Sequence, residues 1–245
     1  MRDEGGGIVK YHKIIKAEKA LNRNKLFRIG IILSGLFSLA FGVVTFYGQD
    51  SGNFMMSIDK DAYNRGIVLS TDESFDNPQA RLMTDPVDEA RDLTYRWLKI
   101  NQVKETDGNY NDPDFDYVAF TFYIQNNGNE TVNVSYHITV TDVDKQMDDA
   151  IRVLIIEDGI ETIYQKPDQL DEFGEYPLYP STLPESTYFI SDTIVTRKTF
   201  KNFKPQDIKK FSVIVWLEGY DPDTTDDILG GNIKMDMLFS IENRS

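Results

Sequence analysis

The residues with the clearest capacity for chemistry are carboxylates. Asp221, Asp223, Asp226 and Asp227 crowd four acids into seven residues ahead of Gly230-Gly231. A hard cation such as calcium takes six to eight oxygen ligands and would relieve that crowding, so these four are the candidate calcium ligands. A second acidic loop runs from Asp107 to Asp112 and starts like an EF-hand loop, with oxygens at its first, third and fifth positions. It departs where Asp112 replaces the turn glycine and Val118 stands at the bidentate glutamate position. No other cofactor is expected.

Catalytic sets are scarce. The chain has two histidines, His12 and His137, and no cysteine, which excludes a thiolate nucleophile, Cys-ligated metal and an HExxH zinc site. No G-x-S-x-G nucleophile elbow occurs. A paired-carboxylate hydrolase has no distinguishing signal among forty acids. The reading is therefore non-enzymatic. A carbohydrate-binding role would need a groove of aromatics, for which Tyr110, Phe115, Tyr176 and Tyr179 are the loop candidates.

The elements that carry these loops fall into three segments: a basic cytoplasmic leader at 1–28, a transmembrane helix at 29–48, and an extracellular domain at 49–245. Net charge is −14 over 245 residues, but the leader holds eight basic and three acidic side chains, leaving a strongly acidic body. Ile29 to Gly48 contains no charge and is long enough, at about 1.5 Å per helical residue, to cross a bilayer core of about 30 Å. Arg23, Lys25 and Arg28 before it place the N-terminus in the cytoplasm and the body outside. Ala40-Phe41-Gly42 fits a signal-peptidase site, so release is the alternative to a retained anchor. Gly30, Ser34, Ser38 and Gly42 recur every fourth residue and mark a stripe where a helix of a second copy or of a partner could pack. The leader's Ile8, Tyr11, Ile14, Ile15 and Leu21 among lysines fit an anionic lipid surface. Nucleic acid is not an expected partner of an acidic body.

Beyond residue 49 the hydrophobic period becomes two. Asp116–Asn126 and Thr131–Asp142 alternate over many residues and flank the turn cluster Asn126-Asn127-Gly128-Asn129, which predicts a hairpin. Further strands are expected at Phe54–Asp59, Ile67–Ser70, Tyr95–Ile100, Ile151–Glu157, Thr187–Ile190, Ile194–Thr199, Lys210–Leu217 and Ile233–Ile241. Short helices are expected near Asp85–Leu93 and Lys145–Ala150. His137 falls on the polar side of its strand, as a surface or edge residue. The loop Pro167–Pro184 carries four prolines and should project. This pattern predicts a mainly β, antiparallel two-sheet sandwich of jelly-roll or immunoglobulin-like type. The absence of cysteine in an exported β domain favours a bacterial surface.

The stretch Val213-Ile214-Val215-Trp216-Leu217-Glu218-Gly219, followed by Asp221-Pro222-Asp223, Thr225-Asp226-Asp227-Ile228 and Gly230-Gly231, resembles exported Firmicute proteins related to TasA and camelysin. That resemblance implies a β-sandwich and a place in a cell-surface or biofilm-matrix structure. It also implies, as the alternative, a fibre subunit released by a dedicated signal peptidase. A third expectation, resting on the small-residue stripe, is an accessory subunit of a membrane transport or secretion complex. Exposed strand edges would give assembly by β-strand pairing.

Overall fold

The computed structural model describes residues 53–87, 89–170 and 173–242. The expected leader, the expected membrane span and its Gly30, Ser34, Ser38 and Gly42 stripe lie outside these residues. Among the described residues no helix is long and apolar enough to cross a membrane.

The described chain is mainly β, in two sheets. Its strands are β1 (Phe54–Ile58), β2 (Ile67–Ser70), β3 (Arg81–Met83), β4 (Gly108–Asn109), β5 (Val118–Asn126) and β6 (Val132–Val143). They continue with β7 (Ile151–Glu157), β8 (Ile160–Gln165), β9 (Thr187–Tyr188), β10 (Ile194–Phe203), β11 (Ile208–Leu217) and β12 (Ile233–Ile241). Three short helices, α1 (Lys60–Asn64), α2 (Ile100–Glu105) and α3 (Met147–Ala150), and 3-10 turns at Tyr95–Trp97 and Asp226–Ile228 complete it. One sheet runs β10-β6-β12-β1-β3, and the other runs β2-β5-β11-β7-β8-β9 with β4 also on β5.

The sheets are mixed rather than purely antiparallel. β1 pairs in parallel with β12, and β9 in parallel with β8. A long connection makes a parallel pair feasible where a tight turn cannot. β1 and β12 are the first and last strands described, and Lys166–Ser186 separates β8 from β9.

The expected hairpin does not form. β5 lies in one sheet, between β11 on one side and β2 and β4 on the other, while β6 lies in the other sheet between β10 and β12. The turn cluster sends the chain across between sheets because Asn126 is buried and fully used. Its amide donates to the carbonyls of Glu130 (2.8 Å) and Phe203 (2.9 Å), and its oxygen accepts from Gly128 N (3.0 Å).

One buried cluster takes side chains from both sheets. Phe122 of β5 stacks on Phe211 of β11 at 5.4 Å, and Phe211 meets Tyr136 of β6 (5.5 Å) and Phe239 of β12 (5.6 Å) edge-on. Each such ring removed from water contributes about 1.5–3 kcal/mol. In β12 and the first part of β6, alternate residues face this core, as period two requires.

A second cluster covers the opposite face of the larger sheet. Ala119, Leu154, Ile156, Ile163, Ile214 and Trp216 meet Leu93, Leu98 and Val103 from the excursion between β3 and β5. Both faces of β7 and β11 are thereby buried, which is why they read as continuous apolar runs. The excursion also departs from expectation. Where a helix is expected at Asp85–Leu93, residues 85–87 and 89–93 are irregular, and Leu93 N donates to Leu217 O and Gly219 N to Leu93 O, a clamp no helix could supply. Tyr95–Ile100 forms a 3-10 turn leading toward α2 rather than a strand.

Candidate functional site

The candidate site lies where β7, the loop after β11, and the proline-rich connection meet. Arg152 is the single charge in the Ile151–Ile156 run, and its side chain is 1% exposed. Buried on a strand inside an apolar layer, it requires a partner. Its Nη1 contacts Asp221 Oδ2 at 2.6 Å, with the Asp221 side chain only 2% exposed. Nη1 also donates to Ile151 O (3.1 Å), and Nη2 donates to the Tyr179 hydroxyl (3.2 Å). Arg152 Nε is buried with no acceptor.

The surroundings are mostly acidic. The Tyr179 hydroxyl donates to Asp168 Oδ1 (2.6 Å), and Gln165 Nε2 donates to the same oxygen (3.0 Å). Burial pushes the Tyr179 phenol well above its usual range, with Asp168 and Asp221 adding to it. Lys166 bridges Asp148 and Asp149, the latter at 2.8 Å. Burial works against the Lys166 ammonium, but those two carboxylates outweigh it and hold its pKa above the usual value. Asp223 sits at the rim. Partial desolvation, then Asp221, Asp149 and Asp168, raise its carboxyl above the ordinary aspartate range.

The structure divides the four aspartates singled out for calcium. Asp221 and Asp223 join the Arg152 cluster, and Asp223 N donates to Asp221 Oδ1 (2.9 Å). Asp226 and Asp227 are exposed in the 3-10 turn that Thr225 caps. Both Asp221 oxygens are thus engaged by protein donors. In the second acidic loop, Asp107 accepts from Tyr123 (2.9 Å), Asn109 from Asp85 N (2.8 Å) and Asp112 from Tyr117 (2.9 Å). Among the described residues no group of three or more His, Asp or Glu is placed to hold a metal ion.

Trp216 stands beside this cluster and fixes the local chain path. Its indole N–H donates to Glu218 Oε2 at 2.9 Å, and Tyr220 N donates to Glu218 Oε1 at 3.2 Å, with Glu218 wholly buried. The Glu218 carbonyl accepts from Asp221 N and from Thr224 Oγ1. The Trp-Leu-Glu-Gly motif is thus a structural latch that presents Asp221 to Arg152.

An apolar cavity of about 270 Å³ opens on the other side of Trp216, between the ends of the two sheets. Val118, Met147, Ile151, Leu217, Ile228 and Met235 line it, and Glu89 is a carboxylate among its described lining residues. Asn53 is consumed within its wall, donating to Ile233 O (3.1 Å) and accepting from Val87 N (2.7 Å). The described lining is mainly apolar and can accommodate an apolar group.

His137 lies outside all of this, half-buried on β6 opposite Arg197 and Leu238. β6 is flanked on both sides, so the histidine faces outward from an interior strand rather than an edge. Burial and the Arg197 charge keep its pKa below the usual value. The proline-rich loop is exposed at Leu170, Phe173 and Leu178 (97%), as a projecting loop requires, but folds inward at Tyr179. Motif and spacing single out neither Arg152 nor Lys166, and the one sequence signal for Arg152 is its lone charge within the apolar run 151–156.

No family model and no curated protein matches the chain. Among solved structures, a β-glucosidase from Kluyveromyces marxianus in complex with glucose is similar at 12% identity with a TM-score of 0.24. The match covers 72% of this chain and 16% of that protein, and carries no argument about fold or activity.

Proposed function

We propose that the chain is a non-enzymatic, single-pass cell-surface protein of a bacterium. Residues 29–48 anchor it, and an external two-sheet sandwich, jelly-roll or immunoglobulin-like in kind, serves adhesion, envelope or matrix assembly. The observation that carries this reading is the uncharged twenty-residue run set between a basic leader and an acidic, cysteine-free body. A strand edge among the described residues supports assembly by strand pairing. β10 is ten residues long and outermost in its sheet, so one side of its backbone has no strand partner among the described residues. It carries the exposed Arg197 and Lys201, while Lys198 turns toward Thr162 and Tyr164 of β8. The resemblance to TasA- and camelysin-related proteins supports the same reading.

Mass measurement of the protein recovered from cells separates anchor from release. An intact 28.2 kDa chain in the membrane fraction is the expected result. A chain beginning near Val43 in the medium would instead establish the secreted fibre subunit, and a cytosolic chain would overturn both.

A further inference from the structure

The chain has two tryptophans with opposite environments: Trp216 is 2% exposed, whereas Trp97 is 52% exposed. Singly exposed apolar side chains are common on protein surfaces, so the setting of the ring rather than its exposure carries the argument. Trp97 is also held in place. It stacks on Phe115 with centroids 5.4 Å apart and planes 16° from parallel. Phe115 in turn packs on the Leu98–Val103–Trp216 cluster. One indole face is therefore backed by protein and the other is presented to solvent as a flat, pre-oriented platform.

Two polar grooves are lined by chain neighbours of the stacked pair, and Lys99 and Asp114 approach each other at 4.0 Å between them. Arg96, the chain neighbour of Trp97, lines one with Asn101, and Asp114, the neighbour of Phe115, lines the other with Asn111. Lys99 and Gln102 line both. A flat indole face with its negative quadrupole suits the axial C–H face of a pyranose, and the amides and carboxylates of the neighbouring grooves suit the hydroxyls of further sugar units. The groove charges are of both signs, and the body is strongly acidic, which disfavours anionic polymers.

We propose that Trp97, backed by Phe115, is the stacking platform of a carbohydrate-binding site for a neutral hexose glycan. The proposal goes beyond the surface-assembly reading and stands or falls separately from it, since it concerns a soluble sugar rather than membrane attachment.

The test uses the purified full-length chain, titrated with the hexasaccharides of β-linked glucose and β-linked N-acetylglucosamine while tryptophan emission is followed. The expected result is a saturable change with at least one hexasaccharide. Monitored by calorimetry, Trp97→Ala should weaken binding about tenfold or more with little change in melting temperature, while Trp97→Tyr should stay within a few-fold of wild type. Phe115→Leu should fall between. No binding of either sugar, or equal binding by Trp97→Ala, would overturn the proposal. So would an unrelated protein binding that face in place of the sugar.

Discussion

Arg152 on β7 and Asp221 in the loop after β11 form an ion pair at 2.6 Å with both side chains almost wholly buried. Removing one partner of such a pair leaves an uncompensated charge in the interior and costs about 3–5 kcal/mol, whereas replacing both by apolar groups is often neutral. Asp221→Asn should therefore lower the melting temperature by roughly 10 °C or more. Arg152→Met combined with Asp221→Leu should recover most of that loss, and also removes the unpaired Nε. Thermal melts of the two single variants and the pair form the test, and additive losses would contradict the ion-pair account.

Asp223 gives a pH dependence of defined sign. Its folded pKa lies above the ordinary aspartate value, so the folded chain holds that proton more tightly than the unfolded chain. Its contribution to stability is most favourable below the unfolded pKa, and declines as pH rises from there through the raised folded value. Asp223→Asn removes this dependence. The melting temperature of the variant minus that of wild type should be more positive at about pH 7 than at about pH 4. A difference of opposite slope would show that the carboxylate is stabilised in the fold.

Glu218 is buried and takes both the Trp216 indole proton and the Tyr220 amide. Glu218→Ala orphans both donors and opens a gap, at a cost of about 2–4 kcal/mol. Glu218→Gln keeps one acceptor oxygen and should cost less. The emission of Trp216 supplies a local reading, moving to longer wavelength in the alanine variant if water enters the latch.

Gly128 tests the crossing between sheets. A Cβ there would overlap the Arg65 carbonyl oxygen, and Gly66 opposite it has φ of +93°. Gly128→Ala must push the two loops apart and should destabilise by about 2–4 kcal/mol, measured by denaturant unfolding. If the chain made a simple hairpin at this point instead, alanine would be tolerated.

Much of this architecture is written locally. The alternation in Val132–Val140 and Ile233–Ile241 marks strands with one buried face, and Ile151–Glu157 and Ile233–Ile241 have the expected bounds. What local pattern does not carry is pairing at long range. Asn126-Asn127-Gly128 has hairpin composition, but its path is set by Phe203, Glu130 and Gly66, none of which a turn preference can anticipate. Tyr95–Ile100 has strand composition, yet its residues lie over Trp216 and Tyr117 rather than beside a strand. The aspartates after Trp216 were legible as a cluster. Their division into a buried partner for Arg152 and an exposed 3-10 turn depends on a residue in a different strand.

The cysteine-free sequence offers the most direct measurement of the central claim, that the β body stands outside an anchored chain. Leu178→Cys places a thiol at an exposed position of the proline-rich loop, and Lys13→Cys places one in the leader. Intact cells expressing each variant are treated with a membrane-impermeant maleimide. The account predicts labelling of Leu178→Cys on intact cells and of Lys13→Cys only after lysis. Labelling of Lys13→Cys on intact cells, or protection of Leu178→Cys until lysis, would contradict it.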